Sequence, residues 1–220
     1  MHIPDGFLDP PICILMYIIA VAFLAWAWRG AKKAFPSSFV PVMAVSSALV
    51  FVAQMLNFPI LYGTSGHLVG GTLLAMLLGP HAAIISMSTV ILIQAILFAD
   101  GGISTFGANL FNMAVIGGLS FYIIRLIANT SSGRKRLLTS VFVASWLSVV
   151  LGALATAIEI GESSMFASVG GLAVTVPAML FWHVIIGVGE AVITTSLVTQ
   201  LLRVGPSILR GLVIMRGAPS

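Results

Sequence analysis

The sequence contains little charge. Only 7% of its 220 residues are Asp, Glu, Lys or Arg, whereas 59% are hydrophobic, and a soluble domain is usually about a quarter charged. This composition excludes an ordinary soluble enzyme and predicts an all-α integral membrane protein with a single transmembrane domain over 1–220. Ten basic residues over this length form no nucleic-acid-binding patch. We therefore expect the lipid bilayer, and no nucleic acid, as a partner.

Other scarce features exclude further classes of function. Cys13 is the single cysteine, so an internal disulfide is excluded, and its apolar surroundings predict a small buried hydrophobic residue. The sequence has no GxxxxGK[ST] loop for nucleotide phosphates, so energy for any active process must come from partner proteins. It also has no HExxH motif, which disfavours a membrane metalloenzyme.

Long hydrophobic runs are abundant. A helix needs about 20 apolar residues to cross the hydrocarbon core of a membrane. The runs predict spans at about 11–28, 38–57, 67–79, 82–98, 107–127, 139–160 and 172–202. The stretch 67–98 is ambiguous, because Gly79 and Pro80 either interrupt one long helix or separate two short ones.

The distribution of charge favours two short helices, and hence seven spans. With seven spans, every basic residue lies on one side of the membrane: Arg29, Lys32, Lys33, Arg125, Arg134, Lys135, Arg136, Arg203, Arg210 and Arg216. The other side carries the acidic residues Asp5, Asp9, Asp100, Glu159 and Glu162. Because basic loops face the cytoplasm, we predict an external N-terminus and a cytoplasmic C-terminus.

The N-terminal segment 1–10, MHIPDGFLDP, offers three nitrogen ligands at its start. The α-amine of Met1, the amide nitrogen of His2 after loss of its proton, and the imidazole Nδ1 of His2 close two chelate rings in one plane. Square-planar nitrogen sites are typical of Ni(II) or Cu(II). No basic leader with a cleavage site precedes His2, so we expect Met1 to be the free N-terminus.

His67, in GTSGHLVGG, is the candidate for the fourth nitrogen. It lies at the start of the short predicted span 67–79, after a glycine-rich loop on the predicted external side, and a helix of that length need not reach the outer surface. Irregular backbone at that depth is tolerated where protein or water surrounds it. Both histidines also have an ordinary interpretation. A histidine near an N-terminus is usually a surface residue, and one in a membrane loop more often forms hydrogen bonds than binds metal.

Three segments resemble the nickel/cobalt members of the energy-coupling-factor (ECF) transporters: MHIPDGFL at the N-terminus, GTSGHLVGGTLLAMLLGP at 63–80 and QAILFADGGISTFGANLFNM at 94–113. The chain resembles their substrate-binding membrane subunit (S component), the NikM/CbiM family, over nearly its whole length. The resemblance implies a six-helix core with one added N-terminal helix, in the prokaryotic cell (inner) membrane. It also implies a metal held by the Met1 amine, the His2 amide and imidazole, and His67.

By the same resemblance, the protein imports Ni(II) as its transported ligand, with Co(II) as the alternative. Pro4-Asp5 resembles the nickel type. The implied partners are a transmembrane scaffold subunit (the T component) and ATP-hydrolysing subunits, and an accessory small membrane subunit is left open. A proton-coupled carrier using His183 and Glu190, which lie seven residues apart in the last predicted span, is a less favoured alternative.

Several polar residues have both a structural and a functional interpretation. Asp5, Ser65, Asp100 and Asn109 could orient the metal ligands, although Asp100 also suits the cap of a Gly-Gly turn and Asn109 the start of a helix. In the second span, Ala44 and Ala48 either pack within the chain or dock the scaffold subunit. The remaining buried polar residues are expected to form interhelical hydrogen bonds, namely Gln54, Gln94, His183 and Glu190. His81 falls on the cytoplasmic side, where we expect no metal.

Overall fold

In the computed structural model the chain is almost entirely helical. Residues 1–128 and 133–215 are described, except the side chain of Ala34. Arg216, one of the basic residues used to predict the topology, lies outside the described residues. The helices are α1 (Pro10–Ala34), α2 (Val40–Gln54), α3 (Gly71–Leu78), α4 (Pro80–Phe98), α5 (Phe106–Asn109), α6 (Ile116–Ile127), α7 (Arg134–Gly161), α8 (Ser164–Ala167), α9 (Leu172–Val204) and α10 (Arg210–Met215).

Short irregular elements join these helices. Single 3₁₀ turns precede α2 and α10, at Ser37–Phe39 and Pro206–Ile208. A π-helical stretch, Leu110–Val115, makes α5 and α6 one continuous helix. The two-residue strands β1 (Phe58–Pro59) and β2 (Ser65–Gly66) pair antiparallel between α2 and α3.

Among the described residues, six helices are long and apolar enough to cross a membrane. They are α1, α2 with the turn before it, α4, the continuous helix from α5 to α6, α7 and α9. Helix α1 continues past residue 28 to Ala34, and α2 ends at Gln54 rather than at 57. Many large apolar side chains on these helices point outward, as a lipid solvent allows and water disfavours. The chain is therefore a multi-pass membrane protein.

The predicted span 67–79 takes a different form. Residues 67–70 are not helical, and α3 has only eight residues, all buried, or about 12 Å of helix. It stops at Gly79, whose φ of 81° is accessible mainly to glycine. Pro80 then opens α4, where its missing N–H leaves no bond unmade. Because α3 is too short to cross the membrane by itself, the seven-helix count and the orientation of the termini stay predictions.

The segment before α3 and α3 itself nevertheless carry the chain from one end of the bundle to the other. Asn57 donates a hydrogen bond to Asp100, just beyond the C-terminal end of α4, at 3.0 Å. Gly79, in contrast, precedes the N-terminal end of α4 and lies against Ile214 of α10. These two points are separated by the length of α4, whose 19 residues cover about 28 Å. An irregular loop and a short helix together make this passage.

Helix α3 forms the centre of the core. It packs against α2, α4, α6, α7, α9 and α10. Two glycines, Gly71 of α3 and Gly117 of α6, bring the two backbones into direct contact. The Thr72 hydroxyl bonds the Ser120 hydroxyl at 2.8 Å and lies 3.1 Å from that of Ser148, so polar side chains also tie α3 to α6 and α7.

The close approach of α3 and α6 yields a stability prediction. A Cβ atom at Gly71 would lie 2.6 Å from the Cα of Gly117, so Gly71→Ala must push the helices apart. We expect a loss of about 1–3 kcal/mol, the usual cost of overpacking, seen as earlier thermal unfolding in detergent. The matched control is Gly189→Ala in α9, where an added Cβ meets nothing within 4 Å. Equal unfolding temperatures for the two variants would contradict the packing described here.

Candidate metal site at the N-terminus

The first three residues of the chain lie inside the protein. Met1 and Ile3 are fully buried, and His2 is 2% exposed. The Met1 side chain packs beside Gly152 of α7, where a Cβ atom would lie 3.3 Å from the methionine sulfur. The N-terminus is thus folded back into the bundle, close to the non-helical segment that precedes α3.

Hydrogen bonds to the main-chain N–H and carbonyl of Ile3 hold this tail in place. Asn109 accepts from the Ile3 N–H at 2.8 Å and donates to the Ile3 carbonyl at 3.1 Å. The same carbonyl accepts from Gly102 N–H at 2.9 Å and from the Thr105 hydroxyl at 2.5 Å. Asn109 is the last residue before the π-helical stretch, a distortion found frequently at functional sites. The Asn109 side chain therefore positions the tail by binding the main chain of Ile3.

Asp5 anchors the tail from the exposed side. Its carboxylate accepts from the Ser104 hydroxyl at 2.5 Å, the Ser104 N–H at 2.7 Å and the Ile103 N–H at 3.1 Å. The hydrogen bond from the Ser104 hydroxyl is the main reason that the pKa of Asp5 falls below its usual value. All of these bonds go to the loop after α4, so Asp5 acts on the position of the tail.

The predicted nitrogen ligands come together at the buried end of the tail. The Met1 amine nitrogen lies 2.7 Å from Nε2 of His67. It donates to the carbonyl and hydroxyl oxygens of Ser65, at 2.6 and 3.0 Å, and the His2 N–H donates to the same hydroxyl at 3.1 Å. The two imidazole rings stack with centroids 4.6 Å apart and planes inclined by 21°. Met1, His2, His67 and Ser65 thus form one cluster.

Hydrogen bonds to oxygen fix which imidazole nitrogens carry a lone pair. His67 Nδ1 lies 2.7 Å from the Leu68 carbonyl, which can only accept, so Nδ1 is protonated and Nε2 faces the Met1 amine with its lone pair. His2 Nε2 lies 3.1 Å from Gln94 Oε1, and when Nε2 donates to that oxygen the lone pair of His2 belongs to Nδ1. That Nδ1 is buried without a hydrogen-bond partner, and a carboxylate oxygen of Asp100 lies 3.3 Å away.

Burial keeps these nitrogens uncharged. Desolvation lowers the pKa of the Met1 amine to about 4, although the negative charge of Asp100 opposes the shift. Desolvation, and next the nearby amine, lower the pKa of His2 to about 3, and the pKa of His67 falls well below its usual value for the same reasons. At neutral pH the amine and both imidazoles therefore keep lone pairs that a metal ion can use.

Side chains alone do not make a metal site anywhere in the described part of the chain. Within residues 1–128 and 133–215, no group of three or more His, Cys, Asp or Glu could hold a metal ion. Binding at this cluster would therefore need the α-amine and the main-chain amide in addition to the histidines. Gln94, which we assigned to an interhelical bond, contacts His2 instead, and nothing in its sequence context distinguishes it from Gln54.

The segment that carries His67 is supported by two helices. Its strand β2 pairs with β1. From α2, Gln54 donates to the Val69 carbonyl at 2.6 Å, and from α9, Glu190 accepts from the N–H groups of Val69 and Gly70. His183 bonds within its own helix, to the Met179 carbonyl at 2.8 Å. Glu190 and His183 therefore have separate partners.

The remaining predicted residues lie away from the cluster. Ala44 and Ala48 are exposed on α2, where they line a groove of about 290 Å³ between α2 and α4. His81 is at the other end of α4, with its ring 4.5 Å from that of Trp26. Neither feature contacts the N-terminal tail.

Known proteins are similar to this chain in sequence and in fold. Residues 2–208 match the family described as cobalt uptake substrate-specific transmembrane region, CbiM. A putative fused nickel transport protein NikMN of Archaeoglobus fulgidus is 39% identical over 213 residues, covering 95% of this chain and 68% of the relative. The cobalt transport protein CbiM of Lachnoclostridium phytofermentans is 32% identical over 209 residues, covering 90% of this chain and 82% of the relative.

The fold also has a counterpart among solved structures. The crystal structure of a truncated transition metal transporter matches with a TM-score of 0.84 at 39% identity, covering 92% of this chain and 99% of that chain. Sequence and structure thus agree over nearly the whole length, and the chain belongs to the CbiM family of substrate-specific transmembrane proteins.

Proposed function

We propose that this chain is the substrate-binding subunit of an ECF-type importer, and that it holds Ni(II) in a square plane of four nitrogens from Met1, His2 and His67. At the coarser level, membership of the family makes it a membrane component of nickel or cobalt uptake and not an enzyme. The observation that carries the finer proposal is the 2.7 Å distance between the Met1 amine and His67 Nε2, deep inside the bundle.

That distance suits two neighbouring ligands of one metal ion. Zinc, a first-row divalent metal, binds nitrogen at about 2.0–2.1 Å, and two bonds of about that length at a right angle place their nitrogens about 2.8–3.0 Å apart. The two nitrogens would therefore need to move only slightly apart to bind one metal ion. The His2 amide and Nδ1 are connected to the Met1 amine through the two chelate rings. His67 would then complete the plane opposite the His2 amide.

The surrounding charges also support a divalent ion. Metal binding at the His2 amide releases its proton, so Ni(II) and the amide nitrogen together keep one positive charge. A buried charge needs a partner, and Asp100, 3.3 Å from His2 Nδ1, would supply the opposite sign. The Ser65 hydroxyl accepts the His2 N–H at 3.1 Å in the metal-free protein, and binding of the metal ion at that nitrogen would replace this hydrogen bond.

Nickel is favoured over cobalt by the planar nitrogen geometry and by Pro4-Asp5. Cobalt is the second candidate because relatives named as cobalt transporters belong to the same family. The electronic spectrum of the nickel-loaded protein distinguishes square-planar from six-coordinate nickel. A yellow, diamagnetic nickel complex supports the square plane, and a paramagnetic six-coordinate complex contradicts it.

Transport requires other subunits. The sequence contains no phosphate-binding loop, so we propose that a transmembrane scaffold and ATPase subunits supply the energy. The exposed Ala44 and Ala48 on α2 are the proposed docking face for the scaffold. The charge distribution supports an external N-terminus, which would place the metal site on the side of uptake.

Blocking the N-terminus should abolish tight binding. Acetylation of the Met1 amine, or one extra residue before Met1, removes a ligand and leaves no room for the added atoms around a fully buried residue. We expect nickel affinity to fall by more than about 100-fold, since even residues that only orient ligands typically contribute 10–100-fold. Titration of protein with a mass-verified N-terminus measures this, and undiminished affinity would refute the chelate.

The variants His67→Ala and His81→Ala should differ sharply in nickel affinity. His67→Ala removes the proposed fourth nitrogen and is expected to abolish tight nickel binding and the planar spectrum. His81→Ala is the matched control, because His81 packs on Trp26 at the opposite end of α4. Calorimetry on the two variants decides the question. Equal losses, or a loss confined to His81→Ala, would place the metal elsewhere.

Gln94 should act through His2. Gln94→Leu removes the acceptor that fixes the His2 tautomer, so we expect nickel affinity to fall by about 10–100-fold. Gln94→Glu keeps an acceptor oxygen and should restore most of the affinity. Gln200→Leu, at an apolar groove beside α9, controls for the loss of an amide. If all three variants bind nickel equally well, Gln94 does not orient His2.

A further inference from the structure

We propose that Glu190 and Gln54 form a clamp on the main chain at Val69 and Gly70, and that this clamp positions His67 and sets the rate at which the metal ion leaves. The inference rests on the proposed function, because it concerns the same metal site. It assigns a role to two buried polar residues from different spans, neither of which touches a proposed ligand atom.

Glu190 holds the segment after His67 with both carboxylate oxygens. Its side chain is 1% exposed in the middle of α9. One oxygen accepts from Val69 N–H at 2.5 Å and the other from Gly70 N–H at 2.7 Å. Gly70 has a left-handed conformation, φ 77°, and precedes the first residue of α3. Successive N–H groups at such a turn, at a helix N-terminus, form a concave site for an anion, which Glu190 fills.

Gln54 holds the same residue from the opposite side. It is fully buried at the last position of α2, and its amide donates to the Val69 carbonyl at 2.6 Å. The N–H of Val69 is therefore bound by α9 and its carbonyl by α2. Val69 lies two residues after His67, so the orientation of its two peptide groups limits where the imidazole can point.

Open space separates α2 from α9, and Val69 is hydrogen-bonded to both helices. An apolar groove of about 480 Å³ lies between them, lined by Val45 and Leu49 of α2, Leu197 and Leu201 of α9, and Leu73 at its floor on α3. Closer to Glu190, a smaller cavity of about 90 Å³ separates the same helices. A displacement of α2 relative to α9 would consequently act on Val69, and through it on His67, since Val69 is bonded to both helices.

This arrangement connects the surface of α2 with the metal site. The exposed Ala44 and Ala48 lie on the helix that ends at Gln54. Movement of α2 would loosen the hydrogen bond to the Val69 carbonyl and reorient His67 with no change in any metal ligand. The clamp thus provides a mechanical route by which a protein that engages α2 would promote release.

Two measurements on the full chain test the clamp. The first is the rate of nickel transfer to excess chelator, recorded with the electronic spectrum of the bound ion. The second, which needs no metal, is amide hydrogen exchange over 64–73 in the metal-free protein. The variants are Glu190→Gln, which replaces one acceptor oxygen by a donor facing an N–H group, and Gln54→Leu, which removes the bond to the Val69 carbonyl.

The matched control is Glu159→Gln. Glu159 is likewise a buried carboxylate in a spanning helix, but it accepts from the Asn112 side chain at 2.6 Å and not from the segment after His67. We expect both clamp variants to release nickel about tenfold faster, equivalent to about 1.4 kcal/mol, with the planar spectrum retained. Exchange over 64–73 should also be faster in both, while the control matches the parent protein in both measurements.

The outcomes separate the two hypotheses. If Glu190→Gln and Gln54→Leu release nickel at the rate of the parent protein, the clamp is overturned, whether or not amide hydrogen exchange over 64–73 changes. If Glu190→Gln loses its helical circular dichroism, Gln54→Leu decides by the same criteria. A parent protein without a planar nickel spectrum refutes the proposed function. In that case unchanged exchange over 64–73 overturns the clamp as well, and faster exchange still supports its hold on Val69 and Gly70.

Discussion

The contact between the Met1 amine and His67 Nε2 is the constraint on which the rest of this structure depends. It joins the first residue of the chain to an irregular segment within the bundle, at 2.7 Å. Both groups are buried and uncharged at neutral pH, because desolvation strongly disfavours their protonated forms. A metal ion bound at this point would use the lone pairs of both nitrogens, and neither has to lose a proton first.

The short helix α3 follows from this constraint. A continuous helix over 67–79 would pair its own backbone groups throughout and leave no irregular segment to receive the tail. The chain instead remains non-helical up to Gly70, and the freed backbone groups find partners in Gln54 and Glu190. Irregular backbone is tolerated at membrane depth under this condition. The buried polar residues of α2 and α9 therefore compensate for the break in the helix.

The sequence predicts the long helices well and the short ones poorly. Each long span is a continuous apolar run, which is a local property, and helices α1, α2, α4, α7 and α9 lie where such runs occur. An eight-residue helix such as α3 is not stable by itself and depends on enclosure by its neighbours. The π-helical stretch after Asn109 likewise has no marker that we recognised in the sequence.

The same distinction between local and distant partners applies to the candidate site. Met1 and His2 could be named as candidates because their chelate rings involve adjacent residues, and His67 because it follows a glycine-rich loop. Gln94 and Glu190 could not, since Gln94 meets His2 across 92 positions and Glu190 meets Val69 across 121. Nothing near either residue in the sequence indicates these partners. Asp5 is close to the ligands in sequence, and its bonds reach Ser104 and Ile103 of the loop after α4, partners that its own sequence context does not indicate.

The most direct test of the account is the position of nickel in a metal-loaded crystal, located by anomalous scattering at the nickel edge. The account predicts one peak about 2 Å from each of four coplanar nitrogens: the Met1 amine, the His2 amide, His2 Nδ1 and His67 Nε2. A peak surrounded by carboxylate or water oxygens, or one found with residues 1 and 2 extended into solvent, would contradict it.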